Sequence, residues 1–276
     1  MAQTFSYGNY SHTQRKNART SGGRSPQDRN RRELSQNFMV DSDAIRRVID
    51  AAMPTGLVLE PGTGGGALTT ALADTGARVV GYEIDPLLAA KLQARTRNSP
   101  NIEIIRGDFT RARPPREQFA VVGNIPYTGT ADIVNWCLHA PELSSATLVT
   151  QLEYARKHTG DYRRWSLRTV TSWPWFTWTL AGHIERTSFR PVPSVDSAIV
   201  RITRRERPLV EDEAGYRRLV EIGFRGIGGS LYRSLRPHYR YTETAFAHAG
   251  VARDTIVAHV HPDQWVTLHR ELTPVS

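Results

Sequence analysis

Apolar residues in this chain come in short runs that lead to acidic or amide side chains. Leu57-Val58-Leu59 runs into Glu60, and Arg78-Val79-Val80-Gly81-Tyr82 runs into Glu83. Asn101-Ile102-Glu103-Ile104-Ile105 is followed by Gly107-Asp108, and Phe119-Ala120-Val121-Val122 by Gly123-Asn124. Runs of this length and composition read as buried strands. Between them the period changes. Ile45, Val48, Ile49 and Ala52 recur at helical spacing, with Asp41 or Ser42 as the N-cap. Ala67, Leu68, Ala71 and Leu72 predict a helix stopped at Gly76, and Pro86 opens another that runs to about Arg97. A strand, the turn Pro61-Gly62-Thr63-Gly64-Gly65-Gly66 and a helix together make a nucleotide-binding βαβ unit, in which the glycines admit a ligand close to the backbone.

That turn has glycines at 62, 64 and 66 and no Lys-Ser/Thr, so it is neither a dinucleotide fingerprint nor a P-loop. Glu60 beside it would repel phosphate but suits the ammonium of a methionine-like group. Glu83 stands about twenty residues past the turn, where a carboxylate holds ribose hydroxyls. Asp108 can accept from an adenine amino group, with Phe109 packed nearby.

Asn124-Ile125-Pro126-Tyr127 is the stretch with the most chemistry. Pro126 ends the strand, and ligands of open α/β sheets bind at strand C-termini. An amino group on an aromatic base is a poor nucleophile because its lone pair is delocalised into the ring. Accepting hydrogen bonds from both its hydrogens, by the Asn124 oxygen and a main-chain carbonyl, pushes it towards sp3. The Tyr127 ring can stack on the base.

Charge points to a polyanionic partner. The 276-residue chain carries a formal net charge of +9, nearly all of it from Arg, since Lys16, Lys91 and Lys157 are the only lysines. Residues 1–33 are rich in Ser, Asn, Gln, Gly and Arg and read as a disordered basic arm, either a tether to RNA or a solvated tail. Cys137 is alone, and His259 and His261 lack a third ligand, so neither a disulfide nor a metal is expected. With no apolar run of spanning length and no secretion signal, a cytoplasmic enzyme without membrane contact is expected.

Taken together, residues 34 to about 230 resemble the S-adenosylmethionine-dependent rRNA adenine N6-methyltransferases. The resemblance rests on Gln36-Asn37-Phe38, Gly62 to Gly66, Glu83, Asp108, Asn124 to Tyr127, and Phe189-Arg190-Pro191-Val192-Pro193-Ser194-Val195-Asp196-Ser197. It implies a doubly wound, Rossmann-like, seven-stranded class I methyltransferase sheet over 34–206, and a small all-α RNA-binding domain over 207–276. It implies S-adenosylmethionine held by Gln36, Asn37, Met39, Glu60, Gly62, Gly64, Gly66, Glu83, Ile84, Asp108, Phe109 and Asn124. The flipped adenine would meet Asn124, Ile125, Pro126 and Tyr127, with Phe189 packed against it.

Within this group, Ile125, Gln151 to Tyr162, Arg164-Trp165-Ser166-Leu167 and Gly228-Gly229-Ser230-Leu231 resemble the Erm type. That type methylates the peptidyl-transferase loop of 23S rRNA, here expected as nascent or protein-poor RNA met by a monomer. It confers macrolide, lincosamide and streptogramin B resistance. The alternatives are a 16S rRNA dimethyltransferase, a DNA adenine methyltransferase and a non-catalytic nucleic-acid-binding relative. Trp165, Trp173, Trp175, Phe176 and Trp178 either stack on unpaired bases or pack the core, and packing is expected. Arg225, Arg233, Arg236, His238 and Arg240 are the basic candidates of the helical domain.

Overall fold

The computed structural model describes residues 37–226 and 229–274. The basic arm and Gln36 lie outside the described residues. In chain order, β1 (Phe38–Met39) leads into α1 (Ser42–Ala52), β2 (Leu57–Pro61), α2 (Ala67–Asp74), β3 (Arg78–Glu83), α3 (Pro86–Thr96) and β4 (Ile102–Arg106). Then come β5 (Phe119–Asn124), α4 (Thr130–His139), β6 (Leu143–Gln151), α5 (Leu152–His158), α6 (Leu167–Ser172), β7 (Phe176–Ile184), β8 (Phe189–Arg190) and β9 (Ser197–Arg204).

Seven strands form one sheet in the order β4-β3-β2-β5-β6-β9-β7. The pairs from β4 to β6 are parallel, and β9 runs antiparallel to both its neighbours. The chain winds outward from β2 to β4, then returns to β5 beside β2. The strand order therefore reverses between β2 and β5, and this switch point is where such sheets bind ligands. Local chemistry sets the elements. Asp41 caps α1 by accepting from Asp43 N at 2.9 Å, and its other oxygen accepts from Ser188 Oγ at 2.8 Å, tying the helix to the segment before β8. Asp85 caps α3, with Pro86 at the first helical position.

One face of the sheet buries Val48, Leu72, Val122, Val149 and Phe189, and another cluster buries Val121, Ile133, Leu148, Ile202 and Trp178. Beyond β9, α7 (Glu213–Arg225), α8 (Leu231–Leu235), α9 (Thr242–His248) and α10 (Pro262–Glu271) enclose their own core around Tyr216, Leu235, Phe246 and Trp265. The tryptophans join the layers. Trp173 and Trp175 pack against both cores, and Trp173 Nε1 donates to Asp263 Oδ1 at 2.7 Å. His261, read from sequence as one of a histidine pair, caps α10 and packs against Trp165 and Trp173. No helix among the described residues is long and apolar enough to cross a membrane.

Candidate active site

A cleft of about 390 Å³ opens at the switch point, within the range of small-ligand sites. Glu60 and the Gly62 turn at the end of β2, Glu83 and Ile84 after β3, and Asn124 to Tyr127 after β5 all line it. Asn37, Phe38, Met39 and Val40 form another wall. That wall is held by β1–β8 pairing, in which Met39 faces Phe189 and Phe38 faces Arg190.

Each polar group has a defined posture. Asn124 Nδ2 donates to the Asn37 carbonyl at 2.8 Å, which leaves Oδ1 as the acceptor offered to the cleft. The Tyr127 hydroxyl shares a hydrogen bond with Ser197 Oγ at 2.7 Å, across seventy residues of sequence. Burial raises the Tyr127 phenol, so it stays neutral at physiological pH. Glu83 accepts from Gly64 N at 2.7 Å and from Asp85 N at 2.9 Å, one bond per oxygen, so it staples the glycine turn and keeps lone pairs for hydroxyl donors. Gly64 sits at φ +53°, and a Cβ there would lie 2.8 Å from the Phe38 ring.

Glu60 is 1% exposed, and its Oε2 has no hydrogen-bond partner. Burial pushes its pKa up to about 8; the nearby Thr69 hydroxyl opposes this and Glu83 adds to it. An unpartnered buried carboxyl facing a cavity fits a cationic ligand group, which would restore its charge. Thr63 Oγ1, in the same wall, is also buried without a partner. Sequence reading gave Thr63 no role, although its place between two glycines of the turn was visible.

The raised pKa has a measurable consequence. Between pH 4.5, the ordinary carboxyl value, and about 8, native Glu60 keeps a proton that the unfolded chain has lost. The native state then binds more protons, so stability must fall as pH rises through that window. Thermal melts of Glu60→Gln should show a flatter decline than wild type from pH 5 to 8. Glu83, also raised by burial, leaves a residual slope. An unchanged slope in Glu60→Gln would remove Glu60 from this account.

Four expected site residues are not part of this cleft's wall. Phe189 is wholly buried in the core with Val48, Leu72 and Ile199. It sits on β8, which pairs with β1 and places Phe189 opposite Met39. Phe109 is buried against Tyr82 and Trp136, at 5.5 and 4.4 Å between ring centroids, and belongs to the core. Gly66 does not line the cleft; a Cβ there would meet Leu92 at 2.3 Å, so this glycine, at φ +78°, admits α3 rather than a ligand. Gly65, Ala67 and Leu68 line the cleft instead. Asp108 also lies outside its wall, and its Oδ1 accepts from Thr110 N and Oγ1 at 2.9 and 2.8 Å.

Known proteins share this arrangement. Residues 27–273 match the model of the family described as ribosomal RNA adenine dimethylase. An "rRNA adenine N-6-methyltransferase" from Aeromicrobium erythreum is 52% identical over 91% of this chain and 76% of its own length. One of the same name from Streptomyces fradiae is 53% identical over 90% of this chain and 80% of its own. The crystal structure of 23S rRNA methyltransferase ErmE superposes with a TM-score of 0.81 at 47% identity, covering 86% of this chain and 99% of that one. The family-model match and these likenesses agree, and the chain belongs to the ribosomal RNA adenine dimethylase family.

Proposed function

We propose that the protein is an rRNA adenine N6-methyltransferase of the Erm type, acting as a monomer on protein-poor 23S rRNA in the cytoplasm. The single observation that carries this is the fixed amide of Asn124, whose Nδ2 is spent on Asn37 so that Oδ1 faces the cleft as an acceptor. Bound S-adenosylmethionine supplies the activated methyl group. Glu60 would take its ammonium, Glu83 its ribose hydroxyls, and exposed Ile84 its apolar edge.

The target adenine must leave its stack to reach the strand ends. Asn124 Oδ1 then accepts one N6 hydrogen. The Pro126 carbonyl already accepts from Gly129 N at 3.0 Å and Thr130 Oγ1 at 3.3 Å, which leaves the carbonyl of Ile125 for the other. Tyr127 stacks on the ring, steadied by Ser197. A neutral phenol serves as a platform and not as a base. None is needed, because the N6 proton becomes acidic once the methyl has transferred. Positioning supplies most of the acceleration.

Exposed Arg225, Arg233, Arg236, His238 and Arg240 on the helical layer suit RNA phosphates. The reading of a 23S target rests on Ile125 and on the likeness to ErmE. It implies macrolide, lincosamide and streptogramin B resistance through a methyl group in the peptidyl-transferase loop. Primer extension on 23S and 16S rRNA from cells with and without the protein tests it. A stop in the 23S loop is expected, and a stop only near the 3′ end of 16S rRNA would favour the small-subunit alternative.

The basic arm should contribute to RNA affinity but not to chemistry. Arg15, Lys16, Arg19, Arg24, Arg29, Arg31 and Arg32 outnumber Asp28 in residues 1–32. Deleting them should flatten the salt dependence of RNA binding, because fewer counterions are released. Cofactor affinity by calorimetry should not change. Equal salt slopes with and without the arm would show a solvated tail.

A further inference from the structure

A second groove, of about 800 Å³, is linked to the cleft by neighbouring residues of one segment. Asp196 lines the groove, and the next residue, Ser197, holds the Tyr127 hydroxyl in the cleft. Tyr162 is part of the groove's wall and is 71% exposed. Its φ is +58° and that of Arg163 is +54°, a region bulky side chains rarely adopt.

Three polar ties hold it there. Tyr162 N donates to Asp161 Oδ1 at 2.9 Å, Arg156 Nη1 donates to the Tyr162 phenol at 2.9 Å, and Arg156 Nε pairs with Asp161 Oδ2 at 3.0 Å. The Arg156 guanidinium lies over the ring, 5.6 Å from its centroid. The ring is thus pinned, with most of its surface left open. Strained, over-determined residues of this kind gather at ligand clamps.

The chemistry of the walls selects an occupant. Leu152, Val195 and Trp165 are apolar. Asp161 is satisfied by Arg156, and Asp196 by Arg186 N and His183. Lys157 and Arg164 have no acidic partner among the described residues, and neither has Glu153 a basic one. An open ring, apolar sides, two cations and one acid match a nucleotide: a π-face, a phosphate and an amino donor.

We propose that this groove takes the unpaired nucleotide next to the target adenine, its base stacked on Tyr162 and its phosphate on Lys157 and Arg164. The proposal rests on adenine methylation as the activity. It gives the enzyme a second base contact that helps fix which adenine enters the cleft.

The test uses full-length protein and a peptidyl-transferase-loop RNA hairpin carrying 2-aminopurine on either side of the target. Wild type and Tyr162→Phe should quench one flanking probe, and Tyr162→Gly should not. Glycine suits this backbone, so that variant should melt at or above the wild-type temperature. Its KM for the hairpin should rise roughly tenfold to a hundredfold, as for a lost base stack. Its kcat at saturating RNA and its cofactor affinity should hold. Wild-type quenching and KM in Tyr162→Gly would overturn the proposal, as would equal losses in Tyr162→Phe. The same assay separates the two readings. No methyl transfer by wild type sinks the activity and the groove with it, whereas normal transfer with an unaltered Tyr162→Gly sinks the groove alone.

Discussion

Replacing Asn124 with alanine should slow single-turnover methylation by about 100- to 1,000-fold, the usual cost of losing one preorganised group at a developing charge. The acceptor matters most as N6 pyramidalises, so the loss belongs to the rate and not to ground-state binding. RNA affinity, driven by phosphate contacts, should change little. The structure adds a second expectation. Asn124→Asp keeps an acceptor oxygen but turns the donor facing the Asn37 carbonyl into a second acceptor, at a spacing now set by a 2.8 Å hydrogen bond. It should therefore be slow as well. Filter binding beside single-turnover kinetics on the hairpin decides both. A wild-type rate in Asn124→Ala would end the role given to this residue.

Phe189→Ala should act on stability. A fully buried Phe cut to Ala costs about 3–5 kcal/mol, on the order of 10 °C in melting temperature for a chain of this size. The ring supports β8, β8 pairs with β1, and the residue before β1 supplies the carbonyl that orients Asn124. Activity well below the melting temperature should fall only as far as that support loosens. Scanning calorimetry with kinetics at low temperature checks this. An unchanged melting temperature with a large loss of base stacking would restore the ring to the site and contradict its burial.

The two predictions divide along the line between what was legible in sequence and what was not. The strands ending at Glu60, Glu83 and Asn124 were readable because burial imposes runs of apolar residues and turns impose Gly and Pro, both local constraints. The helix starts at Asp41 or Ser42 and at Pro86 were readable for the same reason. Two of the outer strands were not: β6 and β7 carry Ser, Thr and Gly among their apolar residues and give no clean period.

Facing was decided by packing. Phe189, Phe109 and Gly66 read from sequence as site residues, yet each meets the core, because its packing partner comes from elsewhere in the chain: α1, Trp136 or Leu92. The same holds for the polar contacts. Asn37 orients Asn124 from eighty-seven residues away, and Ser197 steadies Tyr127 from seventy. The sequence by itself determined the chemistry placed at the strand ends. Only the tertiary structure determined which of those groups face the cavity and what holds them still, because side-chain direction at a strand end depends on contacts that no local pattern encodes.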